Sequence, residues 1–226
     1  MKFLVQNRLL QKIFAVAGLT MALLAPMPVM ADYDYAPREM ALLPPYCKYT
    51  QLYRSSVPGG DDPAQAERWK SNLGYMYDHM HHYCRGLQQT NYAKIFAHTS
   101  GERMERWKQS IGEFDYVLKY MKPDYALLPE VLTKKGENLI RMGRAAEAME
   151  PLQLAIKLKP DYWPPYAALS DYYKEAGDLK NARGWLELAL AISPDAKGLK
   201  LRLAELDAGK GKRKTAPEVP VKPATQ

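Results

Sequence analysis

The chain has 226 residues, enough for one or two domains, and 47% of them are hydrophobic, with 16 tyrosines, which excludes a disordered chain. Its formal charge is +7 and it carries two cysteines. No Gly-x-Ser-x-Gly elbow, phosphate-binding loop or His-Glu-x-x-His pair occurs, and aromatics are not interleaved with the basic residues; neither enzyme chemistry nor nucleic-acid binding is expected.

In chain order, Lys2, Arg8 and Lys12 precede an apolar run, Ile13 to Leu24, followed by Val29-Met30-Ala31. This is the order of a secretory signal peptide over residues 1–31. Cleavage after Ala31 leaves 29 basic and 25 acidic residues, a net +4. Twelve apolar residues are too few to span a bilayer, and no cysteine follows them to carry a lipid. The expectation is a soluble exported protein, most simply periplasmic.

Residues 32–62 hold Pro37, Pro44, Pro45, Pro58 and a Gly59-Gly60 pair, and are expected to run extended over the first helices. An even pair of cysteines in an oxidising compartment predicts a disulfide between Cys47 and Cys84. Closing that loop of 37 positions is worth about 4 kcal/mol by chain entropy.

A helix is predicted from Asp62-Pro63, an N-cap followed by proline, with the stripe Trp69, Leu73, Met76, Met80, Tyr83 and Leu87 running along it. A short piece follows at Tyr92–His98, then a longer helix from Glu102 to Met121. The first of these helices carries His79, His81 and His82. Only His79 and His82 share a face, at a spacing of three, so no cofactor is expected, and a metal site on that pair stands as an alternative.

From Leu128 to Pro194 one unit is written twice, 34 residues apart. Gly136 answers to Ser170, Gly143 to Gly177, Ala148 to Ala182, Leu152 to Leu186, Ala155 to Ala189 and Pro160 to Pro194. The small residues suit close helix approach, the glycines a positive φ between helices, and the prolines the end of the second helix. Spacing and residue types resemble the tetratricopeptide repeat. The resemblance implies an all-α helical repeat array, an α-solenoid, with two units and a capping helix over 125–208. Phe114-x2-Val117-Leu118 and Lys122-Pro123-Asp124-Tyr125 echo the end of the first repeat with one residue extra. Residues 63–124 are therefore expected as a divergent, repeat-like hairpin that adds a third layer. After Pro194, Leu199, Leu203 and Leu206 predict the cap, with Lys200, Arg202 and Glu205 outside its apolar stripe. Residues 209–226 read as a disordered basic tail able to touch an anionic envelope surface weakly.

The resemblance further implies that the first helix of each unit lines a concave groove for a protein partner or peptide segment. The family's groove positions carry over to Glu130, Thr133, Glu137, Ile140 and Arg141 in one repeat, and to Pro164, Ala167, Asp171, Lys174 and Glu175 in the next. The Lys and Asn that clamp a carboxylate in some family members are absent at Thr133, Ala167, Glu137 and Asp171. A groove so rich in Glu and Asp is expected to favour a basic or polar segment. The reading is thus a non-catalytic exported adaptor in an envelope assembly such as secretion or polysaccharide export. Beside the metal reading stands a carbohydrate-binding module using Tyr162, Trp163 and Tyr172.

Overall fold

The computed structural model describes residues 37–208; the expected signal peptide and basic tail lie outside them. Among the described residues there are no strands. The principal helices are α1 (Pro63–Leu73), α2 (Met80–Asn91), α3 (Ser100–Tyr120), α4 (Leu128–Arg141), α5 (Ala145–Leu158), α6 (Pro164–Glu175), α7 (Leu179–Ile192) and α8 (Lys197–Ala208).

Local chemistry sets where they begin and end. Asp62 accepts from the amides of Ala64 and Gln65, with Pro63 at the first helical position, and so starts α1. Thr99 and Asp178 cap α3 and α7 in the same way. Between the paired helices of the two repeats, Gly143 (φ 73°) and Gly177 (φ 82°) take the left-handed backbone that stops the first helix of each.

Each repeat closes around its small residues. A Cβ on Gly136 would stand 2.6 Å from Leu152 Cγ, so only glycine lets α4 and α5 approach this closely. At the equivalent place between α6 and α7, the Ser170 hydroxyl donates to the Ala182 carbonyl at 2.7 Å. Ala148, Ala155, Ala182 and Ala189 are wholly buried. The cap forms as expected, with Leu199 and Leu206 buried against the α6–α7 pair.

The N-terminal part differs from the sequence reading in two ways. The stripe from Trp69 to Leu87 is not on one helix: α1 stops at Gly74 (φ 57°), and a 3-10 stretch, Gly74–His79, joins it to α2. The apolar residues nevertheless stay together. Leu73, Met76, Met80, Tyr83 and Leu87 all enter one core with Phe114 and Val117. Second, residues 37–62 are not extended. They form a single turn at Pro37–Met40, a 3-10 turn at Pro45–Tyr49 and further turns, because the prolines start short turns instead of a straight run. The Cys47–Cys84 disulfide fastens the 3-10 turn to α2. The buried Tyr53 hydroxyl donates to Gln88 and the Tyr77 hydroxyl to the Tyr49 carbonyl, so this segment is tied down beyond its covalent link.

The third layer consists of α2 and α3 only. A Cβ on Gly86 would meet the Phe114 ring at 2.5 Å, repeating the Gly136–Leu152 approach. Gly86 and Phe114 are 28 residues apart, against 16 for Gly136 and Leu152. The added length lies in the connection, where α2 runs into a π-helical turn, Tyr92–Phe96, and α3 gains extra turns before Phe114. The Arg106 guanidinium, 4.2 Å over the Tyr92 ring and bonded to Gln89, pins this turn to α3. Asn138 of α4 joins the layers by donating to Thr90 (2.7 Å) and Ser110 (2.9 Å), whose hydroxyls both bond the Gly86 carbonyl.

Candidate functional site

One concave pocket of about 480 Å³ opens along α4 and α6. Of the groove positions read from the sequence, Glu137, Ile140, Arg141, Pro164, Ala167, Asp171 and Glu175 line it. Three others lie outside it. Thr133 is fully buried and donates to the Pro129 carbonyl one turn back. Glu130 accepts the Tyr83 hydroxyl at the layer junction. Lys174 reaches across to Glu205 on the cap at 2.5 Å.

Further lining residues come from places where no groove position was read. Lys94 enters from the π-helical turn, Arg202 from the cap, and Lys134, Trp163 and Ala168 from the repeats themselves. Lys134 stands three residues before Glu137 on α4, a spacing visible in the sequence. Arg202 was placed outside the cap's apolar stripe, but that side of α8 faces α6. Nothing in the sequence pointed to Lys94, since the connection that carries it has no counterpart in the two clear repeats.

These additions change the electrostatics. Glu137 stands 3.7 Å from Lys94 and 3.5 Å from Lys134. Asp171 is held by Arg202, whose Nε lies 3.1 Å from both carboxylate oxygens. The two acids expected to attract a basic segment therefore already face resident cations. Burial pushes the Lys94 ammonium below its ordinary range; Glu137 opposes this, while Arg141 and Lys134 add to it. Ile140, Trp163, Pro164, Ala167 and Ala168 supply the apolar part of the lining.

The histidines are engaged elsewhere. His79 stacks on Tyr120, with centroids 4.1 Å apart and planes 8° apart. His82 Nδ1 lies 2.6 Å from Glu113, and its ring is 3.7 Å from Tyr116. Among the described residues no three His, Cys, Asp or Glu side chains gather as a metal site would require, and Cys84 is oxidised. Tyr162, Trp163 and Tyr172 are each half-buried. Trp163 belongs to the pocket, Tyr172 packs edge-on against Tyr173, and Lys159 lies over Tyr162. No described helix is long and apolar enough to cross a membrane.

Comparison with known proteins agrees with the fold. The tetratricopeptide-repeat family profile matches residues 129–162 and 164–196. The chain is 28% identical over 105 residues to human Protein O-mannosyl-transferase TMTC1, a match covering 46% of this chain and 12% of that protein. The mouse protein of the same name is 27% identical over 105 residues, covering 46% of this chain and 11% of its own length. The chain thus spans a small part of the relatives it matches. Residues 129–162 and 164–196 are thus two tetratricopeptide repeats.

Proposed function

We propose that this protein is a non-catalytic adaptor that holds a segment of a partner protein in the pocket along α4 and α6. The observation that carries the reading is a concave pocket of about 480 Å³ with a mixed apolar and charged lining, built on the first helices of two tetratricopeptide repeats. Stacked helix pairs of this kind offer concave faces on which extended partner segments bind. The transferase activity in the name of the mammalian relatives is not carried over, since the match covers 12% or less of those proteins.

The setting we propose is the periplasm, in an envelope assembly such as a secretion or polysaccharide-export apparatus. The amino-terminal basic, apolar and small-residue order supports export, and the Cys47–Cys84 disulfide suits an oxidising compartment. Cell fractionation with amino-terminal sequencing tests this: the mature chain should begin at Asp32 and leave the cell with the periplasmic fraction.

The adaptor role is tested by affinity purification from the native envelope with the wild-type protein and an Ile140→Trp variant, which fills the pocket without changing its charge. A specific protein should be retained by the wild type and lost from the variant, with the helical circular-dichroism signal and melting unchanged. Retention of the same proteins by both, or of none by either, would refute the reading.

A further inference from the structure

We infer that the α4 side of this pocket is a subsite for an acidic side chain: Lys94, Lys134 and Arg141 together receive an aspartate or glutamate of the partner segment, while an apolar neighbour of that residue rests on Ile140 and Trp163. The inference rests on the adaptor reading above and names the chemistry of its partner.

The charge balance points this way. Lys94, Lys134 and Arg141 meet one carboxylate, Glu137, on the α4 side; the rest of the lining adds Arg202, Asp171 and Glu175, so four cations face three carboxylates, a net +1. The two lysine contacts, at 3.5 and 3.7 Å, are longer than direct hydrogen bonds, so the ammonium protons keep donor capacity. Arg141 is exposed and makes no ion pair with the described carboxylates. A concave site with low-dielectric walls concentrates such a net positive field. The amine of Lys94 already feels Arg141 and Lys134 as like charges, and an incoming carboxylate relieves that repulsion. A basic segment would find only Glu175 without a resident cation, and would have to displace Lys94 and Lys134 from Glu137 or Arg202 from Asp171 to gain a second carboxylate.

The apolar wall selects among anions. Ile140 and Trp163 offer nothing to a polyphosphate chain, whereas a peptide can set a carboxylate and an apolar side chain side by side.

The test is selection of random peptides of about twelve residues, displayed on phage, against the oxidised mature chain, followed by binding of the synthesised winners. Enriched peptides should share an aspartate or glutamate beside an apolar residue. Their affinity should fall roughly tenfold or more in a Lys94→Gln/Arg141→Gln variant, or when the acid is replaced by its amide, and should weaken as salt is raised. The Lys94→Arg variant should retain binding. An unchanged melting curve shows that each variant is folded. Enrichment of neutral or basic peptides, or acidic peptides held equally by the double variant, overturns the inference and leaves the adaptor reading standing. Binding of polyphosphate that depends on Lys94, with no peptide enriched, would make the occupant a polyanion and also overturns it. No enrichment on the wild type beyond that on Ile140→Trp removes both readings.

Discussion

Gly86→Ala is the substitution that separates the packing account from helix propensity. Alanine in the middle of α2 gains about 1 kcal/mol over glycine from propensity alone. The new methyl, however, would lie 2.5 Å from Phe114 Cε1 and 2.7 Å from Cδ1, on a ring with no solvent exposure to retreat into. Overpacking of a closed core costs about 1–3 kcal/mol, and a contact this short against a buried ring belongs at the upper end. The net is a loss of about 2 kcal/mol, or roughly 4–8 °C in Tm for a chain of this length. Gly112 on α3 supplies the control, since it is exposed, helical and has nothing within 4 Å of an added Cβ. Gly112→Ala should raise Tm by roughly 2–4 °C. Both variants are read by thermal melting of the oxidised protein followed by circular dichroism. Equal shifts for the two, or stabilisation by Gly86→Ala, would refute the claim that α2 and α3 pack as a repeat unit through this glycine.

Reducing the Cys47–Cys84 disulfide should cost about 4 kcal/mol, a fall of roughly 8–16 °C in Tm, from a loop spanning 37 positions. Limited trypsin digestion of the reduced protein should then cut first near Lys48 and Arg54, before the repeats; protection equal to that of the oxidised form would count against it. Alkaline pH should also unfold the protein. Burial, aided by the Tyr75 phenol, pushes the Tyr125 hydroxyl up to about 12, and burial raises Tyr46, Tyr83 and Tyr162 as well. A phenol whose folded pKa is raised keeps the native state protonated after the unfolded chain has begun to ionise. Its stabilisation is present in full below pH 10 and is lost as pH climbs towards 12 and beyond. The last part of the phenolate absorbance should therefore appear together with loss of the helical signal; ionisation of every tyrosine with the helices intact would disprove it.

How much was legible in the sequence follows from how local each signal is. Gly143, Ala148, Leu152, Ala155 and Pro160 each recur 34 residues later, and the small Ser170 answers to Gly136, because every unit faces the same packing problem, so the sequence alone determined the two repeats and the cap. Asp62-Pro63 and the even cysteine pair likewise act through short range or simple chemistry, and both are found as read. The sequence also supplied seven of the residues that line the pocket, since their positions follow from helix phase within a known unit. Tertiary structure alone decided the first unit and the sign of the groove. Gly86 pairs with Phe114 across a connection that breaks the 34-residue rhythm, so no periodicity leads to it. That same connection folds into the π-helical turn that delivers Lys94 beside Glu137, and α8 brings Arg202 to Asp171. Charges on separate elements add up according to distance through space, and one sequence read along its length does not contain that distance.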